Sequence, residues 1–185
     1  MATSEVILTD PTTGGKKGAK LERYDLIPIE PFRQIASAFH EMADDSMAVL
    51  SPGGYILDRA ADFWFRNTGP ATLAFIAVAA LRAMELELGP SNAKLIGLPI
   101  NAVEEGARTF GFGSDKYSDR NWELGYRWSM SWAALIRHAK LHADGQIRDE
   151  QSGLMHLAHV FWHCTVLLEW HQTHPELDDR CKAAK

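Results

Sequence analysis

The stretch that most constrains how this chain can fold runs from Asp149 to His171, DEQSGLMHLAHVFWHCTVLLEWH. Asp149 and Glu150 open it, and Ser152-Gly153 marks a turn. The remainder is apolar enough for one long buried helix. Side chains on a helix advance by about 100° per residue, so His156, His159 and His163, spaced i, i+3, i+7, share a face. Leu157, Val160, Phe161, Val166 and Leu167 belong to the same helix. An imidazole in such company must be hydrogen-bonded, ligated or protonated against an acid, because an unsatisfied buried polar group costs ~1–3 kcal/mol. A single buried histidine is an ordinary core residue. Three in phase behind an acidic turn point to a core helix that carries chemistry along one edge.

The other segments repeat the helical pattern. Residues 1–20 hold Pro11 and Gly14, Gly15 and Gly18, the composition of a flexible arm; Lys16 and Lys17 lack the spacing of a phosphate-binding P-loop. Pro28 and Pro31 start a helix whose stripe is Phe32, Ile35, Ala36 and Phe39. Ser51-Pro52-Gly53-Gly54 reads as a turn, with Asp58 capping the next helix; Asn67 to Pro70 interrupts it before an apolar helix over 71–88. After Pro99 comes PINAVEEGARTFGF, with Val103, Ala107 and Phe110 as its apolar edge. Residues 28–39 and 99–110 agree in proline, isoleucine, alanine and phenylalanine at four positions, a faint internal repeat. From Gly111 a long polar loop carries Trp122 and Trp128, which either border a site or cover the core. Ser129 or Ser131 then starts a helix that ends at Gly145 and places His138 and His142 on one face. Alternating β-branched runs are almost absent. The expected fold is all-α, a helical bundle. Its parts are an arm over 1–20, one domain over 21–174 whose motifs fall in 99–174, and a polar, fraying tail over 175–185.

At 185 residues the chain suits one domain, and its net charge of −5 argues against nucleic-acid binding by bulk charge. Two cysteines make no disulfide framework or zinc knuckle. The N-terminus has no signal-peptide core, and Arg82 interrupts the most apolar run, so a soluble cytoplasmic protein without a membrane span is expected. GxSxG, CxxC, HExxH and Rossmann patterns are missing, as is the adjacent His-Asp pair of an HD-type hydrolase. Glu104 and Glu105, one turn before Arg108, supply carboxylates on a helix; Asp149 and Glu150, with His156 and His159 beyond, supply a second set. Two such helices facing each other would make an oxygen-rich site for Mg²⁺ or Mn²⁺. Lys116, Arg120, Arg127 and Arg137 are candidates to hold phosphate oxygens.

The blocks DLIPIEPF, FGFGSDKYSDRNWELGYRW and LIRHAKLHADGQIRDEQSGLMHLAHVFWH resemble a phage-associated family of dATP/dGTP diphosphohydrolases, related to MazG-like all-α NTP pyrophosphohydrolases. The likeness covers roughly 99–171. It implies a bundle of that type with extra N-terminal helices, cleaving dATP and dGTP to monophosphate and pyrophosphate with Mg²⁺ or Mn²⁺. Metal ligands would be Glu104, Glu105, Asp149 and Glu150. Glu105, His156, His159 and His138 would be catalytic, the histidines as ligands or orienting groups. Arg108, Lys116, Tyr117, Asn121, Trp122 and Arg137 would hold the purine deoxynucleoside triphosphate. A homodimer or homotetramer, in the host cytoplasm for a phage-encoded chain, completes the expectation. There are departures. DLIPIE lies about seventy residues upstream of its usual place, His163 replaces an asparagine, and histidines stand where related enzymes carry acids. A protein that keeps the fold but only binds nucleotide, or serves as a structural phage component, is the alternative.

Overall fold

The computed structural model describes residues 7–9, 12–14, 16–18, 20–42 and 52–181. Much of the expected arm, Ser51 of the expected turn and the last four residues of the tail lie outside them. Six α-helices occur among the described residues: α1 Ile29–Glu41, α2 Pro52–Phe65, α3 Pro70–Leu88, α4 Ile100–Lys116, α5 Trp128–Ala143 and α6 His156–Thr173. Among the described residues, strands are confined to two short antiparallel pairs, β1 Ile7–Thr9 with β2 Lys16–Gly18 and β3 Lys94–Leu95 with β4 Leu98–Pro99. The fold is an all-α bundle. No helix among the described residues is long and apolar enough to cross a membrane.

Burial follows from composition. α3 and α6 are apolar on nearly every side, and a helix of that kind has to lie inside. They pack on each other at the centre; α1 and α2 cover α3, α4 and α5 cover α6, and α2 meets α5. Arg82, the one charge in the middle of α3, lies over the Phe39 ring at 4.8 Å and donates to the Phe39 carbonyl at 3.0 Å. The two segments of the faint repeat begin alike, with Pro28 and Pro99 as extended caps just before α1 and α4.

Four local expectations need correction. Pro52, Gly53 and Gly54 are the first turn of α2 rather than a turn before it, and Asp58 lies inside that helix. Proline fits the first helical turn because the N–H it lacks has no intrahelical partner there. α4 continues through Gly111 and Gly113 to Lys116, so the loop is shorter than its glycines suggest. Gly111 is there for space: a Cβ would stand 1.9 Å from the Leu21 carbonyl oxygen, where residues 20–27 cross α4. α5 starts at Trp128, ahead of both serines. The chain also stays anchored after Pro175. Arg180 is buried, donates to the carbonyls of Phe63 and Thr68, and lies over the Phe63 and Trp128 rings.

Candidate functional site

The loop between α5 and α6 aims the chemistry. His156 N–H donates to the Ile147 carbonyl at 2.9 Å, Asp149 N–H to Leu154 at 2.8 Å, and Gly153 N–H to Asp149 at 2.8 Å. Asp149 thus sits in a stapled turn beside α6 rather than at its first turn. Ser152 donates to Asp149 Oδ2 from both its N–H and its hydroxyl, each at 2.9 Å. Ser152 Oγ also lies 2.9 Å from His159 Nε2. With the hydroxyl proton committed to Asp149, Oγ accepts the Nε2–H of His159.

α5 brings His138 against this loop. Its Nδ1 is 2.8 Å from Nδ1 of His156, and its ring stacks on His159 at 4.3 Å and 6°. Arg137 Nη2 is 3.3 Å from its other nitrogen. His163, one turn further along α6, pairs its Nδ1 with the buried hydroxyl of Ser131 at 2.8 Å. His138, Asp149 and His156 each offer a donor atom within 4.8 Å of the others. Burial pushes all four imidazoles down in pKa, and the Arg137 charge adds to the effect for each: His138 to about 3, His159 to about 4, and His163 well below the usual value. For His156 burial again lowers the value, with Asp149 opposing it. Burial alone would raise the Asp149 carboxyl, but the two Ser152 hydrogen bonds, together with His159 and His138, bring it below its ordinary value. The result is a neutral imidazole cluster next to an ionised carboxylate.

This cluster borders a cavity of about 450 Å³. Asp149, His138, His159 and His163 line it, together with the aromatic rings of Phe110, Phe112, Trp122, Tyr126 and Trp162. Three cations reach it: Lys116, Arg120 and Arg137. Arg120 is held by Glu123 at 2.6 Å. Lys116 and Arg137 have no carboxylate partner among the described residues; the Lys116 ammonium lies 5.9 Å from the Phe112 ring and 5.3 Å from the Tyr117 ring.

The residues expected at one site divide into two groups. Lys116, Tyr117, Asn121, Trp122, Arg137, His138, Asp149 and His159 line the cavity, and His156 lies fully buried behind them. Glu104, Glu105, Arg108 and Glu150 do not line it. Arg108 binds three carboxylates, Glu104 at 2.7 Å, Glu22 at 2.8 Å and Glu105 at 2.9 Å. Glu105 is only 3% exposed, and its second oxygen is 3.8 Å from Arg148. Glu150 is exposed in the turn. Trp122 and Trp128 are both buried, and Trp122 walls the cavity as well. Sequence reasoning missed Ser152 as the link between Asp149 and His159; a serine three residues after an aspartate, in a Gly-containing turn, is the signal that would have found it. It also missed Glu22, which reaches Arg108 across 86 positions with no local signature.

Among proteins of known family, residues 71–180 match the model described as dATP/dGTP diphosphohydrolase, N-terminal. The match begins at α3, leaves out the DLIPIEPF block and Leu26 of the cavity wall, and takes in the whole imidazole–carboxylate cluster and the rest of the wall. No curated protein and no solved structure matches the chain. Spanning more than half of the sequence, the match makes this chain a member of the dATP/dGTP diphosphohydrolase family, a family of hydrolases by its name.

Proposed function

We propose that the chain hydrolyses dATP and dGTP to the monophosphate and pyrophosphate with a divalent ion, Mg²⁺ or Mn²⁺. The observation that carries this reading is one cavity combining two cations without a carboxylate partner among the described residues, aromatic walls and a buried imidazole–carboxylate cluster. Its volume is within the range of small-molecule sites. The family's name supplies the purine deoxynucleotide class.

The residues present fit a divalent ion. Asp149, His138 and His156 bring an oxygen and two neutral nitrogens within 4.8 Å, the two rings presenting their Nδ1 atoms 2.8 Å apart. A bound ion would polarise a phosphoryl oxygen and make a water more acidic. Lys116 and Arg137 have free hydrogen-bond donors for phosphate oxygens, where charge accumulates as pyrophosphate leaves. Tyr117, 64% exposed beside Lys116, offers its ring face to the base.

The pKa values restrict the histidines' roles. A general base works best with a pKa near the working pH. His138 at about 3 and His159 at about 4 are too weakly basic for that at neutral pH. They serve as neutral donors and acceptors that hold a ligand or a water in place. His159, through Ser152, keeps Asp149 oriented. Glu105 and Arg108 act at one remove, fixing α4 and Arg148 beside the Asp149 turn. Homodimer or homotetramer assembly belongs to the same proposal and is tested by sedimentation.

The test is direct: dATP, dGTP and the pyrimidine dNTPs are incubated with the chain and Mg²⁺ or Mn²⁺, and pyrophosphate is measured after conversion to phosphate. Purine-selective release of pyrophosphate with dNMP is expected. No turnover of any triphosphate would end the reading.

A further inference from the structure

We infer that His138, His156 and Asp149 form a two-histidine, one-carboxylate site for a first-row transition ion of the Mn²⁺, Co²⁺ or Zn²⁺ class, which favours such an ion over Mg²⁺. The site's part in catalysis rests on the hydrolase reading above; its occupancy by an ion does not.

Three observations lead here. The Nδ1 atoms of His138 and His156 are 2.8 Å apart. Two nitrogens each about 2.1 Å from a common ion, on neighbouring coordination positions, stand about 3 Å apart. The rings therefore already approach the spacing of adjacent ligands. Asp149 completes the group within 4.8 Å, and both Ser152 hydrogen bonds fall on Oδ2, leaving Oδ1 for an ion. Finally, His156 is fully buried, so the Nδ1 it offers is presented from the protein interior; its Nε2, unpartnered among the described residues, is the non-ligating atom.

Donor chemistry selects the ion. Mg²⁺ prefers oxygen ligands and retains its water, whereas imidazole suits Mn²⁺, Co²⁺ and Zn²⁺ progressively better. Three protein ligands leave coordination positions open, and His138 and Asp149 face the cavity where a triphosphate would enter. The oxygen-rich competitor already has a cation: Arg108 takes one oxygen each from Glu104, Glu22 and Glu105 at 2.7, 2.8 and 2.9 Å, while the second Glu105 oxygen is buried without a hydrogen bond, 3.8 Å from Arg148. A dication there would have to share these carboxylates with a fixed guanidinium.

The test uses the full chain, stripped with chelator. Mn²⁺ binding is followed by electron paramagnetic resonance, and histidine ring signals by NMR as Mn²⁺ is added. One ion per chain is expected, resisting displacement by about a hundredfold excess of Mg²⁺. Broadening should be strongest at His138 and His156 and absent at His40 and His174. His156→Gln should weaken Mn²⁺ by about tenfold or more, and Glu104→Gln should not. The wild-type NMR pattern decides the matter even where His156→Gln fails to fold. Displacement by equimolar Mg²⁺, no broadening at these rings, or loss of binding in Glu104→Gln alone would overturn the inference. Mn²⁺ held at the histidines without turnover of any dNTP would uphold the site and remove the hydrolase reading. Turnover with Mg²⁺ and no Mn²⁺ at the histidines would do the reverse.

Discussion

α4 and the α5–α6 junction each gather acids beside partners, but by different means. On α4 the partner is a charge: Glu104 and Glu105 precede Arg108 by four and three residues, and that spacing brings helix side chains together. One guanidinium bonds one oxygen of each and of Glu22 besides, and the second Glu105 oxygen is left buried without a hydrogen bond. At the junction the partners of Asp149 are neutral imidazoles and the Ser152 N–H and hydroxyl. The first arrangement already holds a cation among its carboxylates. The second leaves a carboxylate, with His138 and His159, lining a cavity, which is what a cationic ligand needs. Adjacent carboxylates in a sequence thus say less about a site than whether a cation one turn away already claims them.

Four changes test this contrast, ordered by expected effect. Removing both free cations of the cavity, Lys116→Ala with Arg137→Ala, should lower kcat/KM for dGTP by about 10²–10⁴-fold, at about 1.5–3 kcal/mol for each charged hydrogen bond. Steady-state kinetics reads this directly. Ser152→Ala releases Asp149 and His159 together and should reduce turnover by about 10–100-fold, with little change in KM. Arg108→Ala belongs to the other region and should act on stability instead. It leaves the buried Glu105 carboxylate without its main partner and should cost about 1–3 kcal/mol, read as a lower midpoint in urea.

The smallest effect separates the two regions by pH. His138 and His159 take up protons in the unfolded chain near 6.5, but in the fold only near 3 and 4. Their contribution is fully present above pH 6.5 and is lost as the pH falls toward those folded values. Glu22, lowered from 4.5 chiefly by its hydrogen bond from Arg108, keeps its contribution above 4.5 and loses it as the pH falls through its folded value. Thermal midpoints should hold between pH 7 and 8 and drop by several degrees by about pH 5, before the acidic edge titrates. A midpoint unchanged down to pH 5 would show that the imidazoles are not held neutral.

Much of this was legible in the sequence for a physical reason. Helical periodicity is local, so α1, α3 and α6 follow from apolar spacing, and the phase of His156, His159 and His163 put them on one face. The loop motif also placed Lys116, Tyr117, Asn121 and Trp122 together. The division of the acids was not legible, because it depends on Glu22 crossing α4 and on the turn that lifts Asp149 off the start of α6. His163 illustrates the limit: its phase on α6 could be read, but its bond to Ser131 on α5 depends on the packing of two helices. The glycines at 53, 111 and 113 misled in the same way. Glycine is read as a turn in isolation, whereas Gly111 serves a tertiary close approach inside a helix.

The central claim is that triphosphate chemistry belongs to the α5–α6 cluster and not to the acidic edge of α4. It is tested most directly by measuring dGMP and pyrophosphate formed from dGTP by the wild type, Asp149→Asn and Glu104→Gln side by side, with Mn²⁺ present. The expected result is equal amounts of dGMP and pyrophosphate from the wild type. Asp149→Asn should lose about 10²-fold or more, and Glu104→Gln at least ten times less than that. Equal losses in the two variants, or no pyrophosphate from the wild type, would contradict it.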